Sequence, residues 1–330
     1  MRAFLTGASG FVGGHLLRAL EAAGRDVVCL VRPGSSRRNL EGTSAEVVEG
    51  DLTSPESLRG ALDACSEVYH CAADYRLFVP DPKGMYATNV EGTDNLLEAA
   101  AQSGVDRVVY TSSVGALGLL PGGEPADEET PVALEDMIGH YKRSKFLAER
   151  VVEDWVGRGL PAVVVHPSTP VGRADWKPTA TGKMILDFAR GKVPAYVDTG
   201  LNLVDVRDVA VGHILAAERG RIGEKYILGN ENLSLREIFD LLAEIAELRA
   251  PNIRLPHVIP LAFAALDTAR ARFFGGEPTV AFDAARLARH KMYFSADKAV
   301  RELGLPQTPV RQALEHSVEW FRDNGYLEAS

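Results

Sequence analysis

MRAFLTGASGFVGGHLLRALEAAG, residues 1–24, opens the chain and decides its fold. Residues 2–6 read as a short buried strand, Gly7, Gly10 and Gly13 then punctuate the chain, and Leu16, Leu17 and Leu20 follow at helical spacing. The unit is strand, tight turn and helix. In such a unit the first glycine permits the turn and the second lets backbone approach a pyrophosphate. The third lets the helix pack closely on the sheet, with its N-terminal amides facing the phosphates. Dinucleotide binding is the expectation, and a purely structural glycine turn is the alternative.

Outward from this unit, residues 27–31 read as a second strand ending in Arg32 and Pro33. An Asp or Glu at such a strand tip would accept hydrogen bonds from both ribose hydroxyls of NAD. None stands here. Arg32, supported by Ser35 or Arg37, suits a 2'-phosphate instead. NADP(H) is therefore expected in preference to NAD(H), with a solvated loop arginine as the other reading. Residues 45–48 form a third strand. Asp51 just beyond it is placed either to approach an adenine amino group or to cap a turn. A helix is expected over 55–62 and a fourth strand over 67–71, after which Ala72 and Ala73 leave room for a ligand to pass the backbone. A helix over 89–101 and a strand over 105–111 lead to Ser112 and Ser113, and 121–131 is a Pro/Gly-rich loop.

Tyr141 and Lys145 lie four residues apart on one expected helix face. A tyrosine hydroxyl is a poor base at neutral pH, but a nearby ammonium favours the phenolate. The tyrosine can then exchange a proton with a substrate oxygen while hydride passes between the same carbon and a nicotinamide. Ser113 would orient that oxygen, and Lys145 would also hold the nicotinamide ribose. An ordinary surface pair is the alternative for this spacing alone.

Residues 163–165 complete six alternating strand and helix units, which describe a doubly wound parallel sheet of the Rossmann type in an α/β chain. Beyond them the alternation fails. Helices are expected over 183–190, from about 208, and over 311–321, with a short strand over 225–228. Ser234 and Glu237 form a capping-box pattern before a strongly amphipathic helix. The expected division is an NADP-binding domain over 1–166, joined by about 202–216. A smaller, mainly C-terminal α/β substrate domain occupies most of 167–330.

The chain has 330 residues, 46% of them hydrophobic, and a formal net charge of -9. That length can bury a sizeable core. The acidic balance, with no basic block, argues against nucleic-acid partners. Cys29, Cys65 and Cys71 make an odd count without metal-ligand spacing, so neither a metal site nor a disulfide framework is expected, and a reducing, cytoplasmic setting is. The N-terminal apolar run belongs to the glycine unit rather than to a signal peptide. The apolar stretch 257–273 is broken by Pro260, Asp267 and Arg270 and is too short and charged to span a bilayer. It reads as a buried or lid helix, with a peripheral membrane contact as the alternative.

These motifs resemble the extended short-chain dehydrogenases/reductases, the NAD-dependent epimerase/dehydratase group. The matching text is TGASGFVG at 6–13, GDL at 50–52, HCAA at 70–73, NVEGT at 89–93, YTSS at 110–113, YKRSK at 141–145, HPSTPVG at 166–172 and VDVRDVA at 204–210. Within the group the chain is similar to dihydroflavonol-4-reductases and hopanoid-associated sugar epimerases, although His166 stands where an asparagine is expected. The resemblance implies Ser113, Tyr141 and Lys145 as the catalytic set. It implies Gly7, Gly10, Phe11, Val12 and Gly13 around the pyrophosphate, Arg32 at the adenosine phosphate, and Asp51 and Leu52 at the adenine. Ala73 would pass near the ribose, Pro167 and Ser168 would flank the nicotinamide carboxamide, and Asn89 would tie two loops. It also implies a homodimer through the helices at 89–101 and 140–155. The expected activity is carbonyl reduction, or the reverse oxidation, on a small molecule. A cofactor-retaining epimerase of a sugar or nucleotide sugar and a non-catalytic nucleotide-binding scaffold are the alternatives. Epimerases of the galactose type carry an arginine before VDVRDVA to hold a diphosphate, and Leu201 stands near that place.

Overall fold

The computed structural model describes Met1–Leu327; residues 328–330, the end of the expected 167–330 domain, lie outside the described residues. The first half alternates as expected. Strands β1 (Arg2–Thr6), β2 (Asp26–Val31), β3 (Glu46–Glu49), β4 (Glu67–His70), β5 (Arg107–Thr111) and β6 (Ala162–Pro167) are joined through α1 (Phe11–Ala22), α2 (Lys83–Tyr86), α3 (Gly92–Ser103) and α4 (Gly139–Gly157). The second half contains β7 (Thr169–Val171), α5 (Ala180–Ala189), β8 (Ala195–Tyr196), β9 (Gly200–Asp205), α6 (Val206–Arg219) and β10 (Lys225–Leu228). After them come β11 (Glu231–Ser234), α7 (Leu235–Ala246), β12 (Ile253–Arg254), α8 (Val258–Phe274), α9 (Phe282–Leu287), β13 (Lys291–Met292), α10 (Asp297–Leu303) and α11 (Val310–Asp323).

Seven strands form one parallel sheet in the order β10-β6-β5-β4-β1-β2-β3. The order reverses between β1 and β4, which makes the carboxyl ends of those two strands the natural ligand crevice. Strand residues alternate between the faces. In β1, Ala3 and Leu5 join Leu16, Leu17 and Leu20 on the face covered by α1 and α6, while Phe4 joins Leu96, Leu97, Ala148 and Val152 on the face covered by α3 and α4. A third core of Ile185, Phe188, Phe239, Leu242, Leu314 and Phe321 lies among α5, α7 and α11. The Ser234 capping box forms with both reciprocal hydrogen bonds.

Two local expectations change. The helix expected over 55–62 is only a 3-10 turn at Pro55–Leu58, because Arg59 is extended and Gly60 enters the left-handed region at φ +72°. The helix expected over 89–101 begins earlier, at Lys83, and passes through a π-helical segment at Ala87–Glu91 before continuing as α3. Among the described residues, no helix is long and apolar enough to cross a membrane.

Candidate active site

The glycine turn is built as its spacing requires. Gly7 adopts φ +81°, and a Cβ there would lie 2.7 Å from the Ala72 amide nitrogen, so only glycine lets the turn touch the end of β4. A Cβ on Gly13 would fall 2.1 Å from the Gly7 carbonyl oxygen, which is how closely α1 seats on the turn. Asn39 braces the same turn by donating to the carbonyls of Ser9 and Gly10 at 3.1 and 3.0 Å. Gly10 caps α1 with no side-chain hydrogen bond, and half-buried Phe11 and Val12 begin the helix, so its first amides point out of the turn. That arrangement suits a phosphate.

At the adenosine end, Asp51 accepts from the Thr53 amide at 2.8 Å and the Thr53 hydroxyl at 2.7 Å. Those bonds, with help from the Arg32 charge, hold its carboxyl below the usual range. Leu52 is buried against Gly92. Arg32 is exposed, and its charge is shared between Asp51 and Asp74. Half-buried Ala73 follows β4, and the next residue begins a tie. Asn89 accepts from the Asp74 amide at 2.7 Å and donates to the Asp74 carbonyl and the Ser144 hydroxyl, each at 2.9 Å, joining this loop to α4.

Ser113 opens a 3-10 turn at Val114–Ala116, and its hydroxyl accepts from the Gly115 amide at 3.0 Å. Tyr141 lies at the start of α4, half-buried. Burial pushes its phenol up, the hydrogen-bonding Ser113 hydroxyl pulls it back, and Tyr75 adds to the rise. Lys145 is buried one turn further on. Its ammonium donates to the Tyr110 hydroxyl at 2.9 Å and to the Thr111 carbonyl at 2.6 Å, 4.4 Å from the centre of the Tyr110 ring. Burial lowers it to about 8 against the opposing pull of Glu149 and Cys71. The fully buried Tyr110 phenol is driven well above its ordinary range by the same loss of water, with Glu149 adding to the rise.

From the sequence, Glu149, Lys225 and His70 carry no role, and His166 stands out only as a departure from an expected asparagine. Behind Lys145, the buried Glu149 carboxylate accepts from Ser112 at 2.7 Å, pairs with His166 at 2.8 Å and with Lys225 at 2.5 Å. Burial alone would raise that carboxyl, but His166 and Lys225 outweigh it and hold it well below the usual range. His70 bridges Thr6 and Thr93 at 2.8 and 2.9 Å, and burial lowers it to about 3, so it stays neutral. Pro167 ends β6. The Ser168 amide donates to the Leu228 carbonyl, while the Ser168 hydroxyl is buried without a partner. A glycine cradle, uncapped helix amides and an orphaned hydroxyl at the other side of the crevice together fit a dinucleotide. Leu201, in contrast, packs against the third core.

The NAD-dependent epimerase/dehydratase family matches residues 3–229. A candidate dihydroflavonol 4-reductase of Synechocystis sp. is 44% identical over 329 residues, covering 98% of this chain and 96% of that protein. Sterol demethylase protein B of Methylococcus capsulatus is 34% identical over 329 residues, covering 99% of this chain and all of that protein (100%). Among solved structures, gox2253 superposes with a TM-score of 0.89 at 48% identity and 99% coverage of both chains.

The expected preference for NADP(H) is corrected by these comparisons. MoeE5, 26% identical with a TM-score of 0.74 over 98% of this chain and 99% of its own, was solved with UDP-glucose and NAD. The structure removes much of the basis for that expectation. Arg37, expected to support Arg32, is paired with Glu49 and so does not back it as a phosphate clamp. Fold, glycine turn and relatives agree that the chain belongs to the NAD-dependent epimerase/dehydratase family, as an oxidoreductase or epimerase working through a nicotinamide dinucleotide.

Proposed function

We propose that this chain carries out NAD(H)-linked reduction of a carbonyl on a small, weakly charged molecule, or the reverse oxidation, with Tyr141 as the proton donor and acceptor. The carrying observation is that α4 sets Tyr141 one turn before the buried, doubly anchored Lys145, at the crevice end of the sheet where Ser113 follows β5. Ser113 orients the substrate oxygen, and Tyr141 passes it a proton or removes one. When bound, the nicotinamide supplies or accepts the hydride. Lys145, held by Tyr110 and the Thr111 carbonyl one helical turn along α4 from Tyr141, would supply the positive charge that favours a phenolate there. Tyr110 itself has no exposed surface and serves Lys145 rather than substrate.

In the same reading, Gly7, Gly10, Phe11, Val12 and Gly13 hold the pyrophosphate. Arg32, Asp51 and Leu52 line the adenosine end, Ala73 lies by the ribose, and Pro167 and Ser168 meet the carboxamide. Residues 1–166 with about 202–216 form the cofactor domain, and 167–330 form most of the substrate domain. The relatives that support reduction are the dihydroflavonol 4-reductase candidate and a 33% identical ketoreductase of Stigmatella aurantiaca. Leu201 supports it too, since an apolar side chain packed into a core cannot clamp a diphosphate. The second reading is epimerisation of a sugar or nucleotide sugar. It is favoured by a 27% identical nucleoside-diphosphate-sugar epimerase structure of Pseudomonas aeruginosa. The free thiols Cys29, Cys65 and Cys71 support a reducing, cytoplasmic setting, and half-buried Phe146 and Leu147 on α4 support a homodimer through α3 and α4.

The deciding experiment purifies the protein without added nucleotide, identifies retained cofactor by mass spectrometry and screens carbonyl compounds and nucleotide sugars. Net NADH consumption with a carbonyl compound is expected. Retained NAD with interconversion of sugar isomers and no net NADH loss would put the epimerase first.

A further inference from the structure

Helix α8 has a long apolar face turned to solvent. Val258, Ile259, Phe263, Leu266, Phe273 and Phe274 are 66%, 50%, 53%, 74%, 82% and 86% exposed. At the turn angle of an α-helix these six positions share an arc of roughly 160° along the whole length of the helix. The opposite side, through Ala264, Asp267 and Ala271, is buried against the return segment and α9. Single exposed apolar residues need no account, but an aligned stripe of six does.

Charge says what covers it. From Arg249 to Phe274 the sequence carries four arginines, Arg249, Arg254, Arg270 and Arg272, and one acidic residue, in a chain whose net charge is -9. That acid, Asp267, is buried and committed to Arg270 and to the Thr279 and Val280 amides. Arg254 and Arg270 pair with Asp198 and Asp267, but over residues 249–291 seven arginines and lysines stand against three acidic residues, so basic charge gathers beside the apolar stripe although the molecule as a whole is acidic. A second copy meeting this face across a two-fold axis would set the arginines against themselves. An anionic bilayer surface would meet both features at once: acyl chains take the phenylalanines and leucine, and headgroups take the guanidinium groups.

We propose that α8 is an interfacial helix that docks this protein reversibly on anionic lipid, lying in the headgroup region without crossing the membrane. The proposal holds whichever reaction the crevice performs. Its test is co-sedimentation with vesicles of phosphatidylcholine and phosphatidylglycerol in equal parts, beside vesicles of phosphatidylcholine alone. The full chain is expected to pellet with the anionic vesicles and to be released by high salt. Phe273→Ser with Phe274→Ser, at two well-exposed positions, should keep the circular dichroism and NADH binding of the parent and weaken vesicle binding roughly a hundredfold. Arg272→Gln should weaken it about fivefold. Failure of the parent to bind anionic vesicles, or equal binding by the double variant, overturns the proposal. So does a self-associated parent that becomes monomeric in the double variant while neither binds vesicles, since the face would then belong to a second copy.

Discussion

Gly13→Ala isolates the close seating of α1 on the turn that follows β1, because two effects of known sign oppose each other there. Gly13 lies inside α1 with ordinary helical backbone, and alanine in a helix interior is better than glycine by about 1 kcal/mol. Propensity alone therefore makes the variant more stable. Against that, the new Cβ would sit 2.1 Å from the Gly7 carbonyl oxygen, 2.6 Å from the Gly7 carbonyl carbon and 3.0 Å from the Ala8 nitrogen. All three are backbone atoms of a turn that is itself pressed on Ala72, so no flexible side chain can yield. Relief requires α1 to lift by about 1 Å, and overpacking of that kind costs about 1–3 kcal/mol. The clash wins or at best cancels the propensity gain.

The lift moves the first amides of α1 by a distance comparable with the whole working range of a hydrogen bond. Loss of one charge-assisted bond to a phosphate is worth about 1.5–3 kcal/mol, which predicts NADH binding roughly ten- to a hundredfold weaker. Calorimetric titration of NADH, with a thermal melt of the same sample, measures both effects. Gly84→Ala serves as control, since a Cβ on Gly84 meets nothing within 4 Å and only the propensity term remains. A Gly13→Ala protein that melts higher than the parent and binds NADH within twofold of it would refute the reasoning.

Tyr141→Phe should keep the fold and NADH affinity but lose about 10²–10⁴-fold in turnover, whereas Lys145→Met should damage both; steady-state kinetics with separate NADH titration distinguishes the two patterns. Lys142 and Lys145 are each lowered by burial to about 8, so between that pH and their ordinary range the unfolded chain binds more protons and stability rises with pH. Urea unfolding on either side of pH 8 should show this rise, and Lys142→Met should flatten it while raising stability at neutral pH. Glu149→Gln leaves His166 without its buried partner and Lys225 with Glu153 alone, and should cost about 3 kcal/mol; the contribution of the carboxylate is present above its unfolded pKa and lost as pH falls, so acid unfolding should begin nearer neutrality in the variant. Half-buried Phe146, Leu147 and Val151 on α4 should seat against a second copy, so sedimentation at micromolar concentration should give twice the 35.6 kDa chain mass; a single 35.6 kDa species rejects that dimer.

Local rules were legible in the sequence. The glycine turn, the crossover alternation and the Ser234 cap each depend on residues within a few positions of one another, and each appears in the structure close to its expected place. Asn89 was also readable as a tie rather than a reactant. Where a distant partner decides the outcome, reading fails. Arg37 looks free beside Arg32 because Glu49, which neutralises it, belongs to the next strand of the sheet. Strand β10 completes the large sheet from beyond residue 220, because its partner β6 is separated from it by much of the second unit.

The charge network beneath the site shows how far pattern reading can reach once one fact about side is known. In β5, Val108 and Tyr110 face α4 while Val109 faces away, and in β6 Ala162 and Val164 do the same. Period-two alternation carries both rows one step further, to Ser112 and His166, which therefore arrive on the same face as Lys145 and, a turn later, Glu149. Tyr110, Ser112, His166, Lys145 and Glu149 are thus placed by parity on two neighbouring strands and by i, i+4 spacing on one helix, and Lys225 joins them from β10, the next strand of the sheet. What sequence alone withholds is which face of the sheet α4 covers, and that choice is made by the right-handed crossover from β5 to β6. With the hand of that crossover granted, Tyr110 becomes the partner of Lys145 for the same reason that Val164 becomes its neighbour. Tyr141, at the N-terminal end of the same helix, is left at the crevice end of the sheet with Ser113, where a substrate oxygen can reach it.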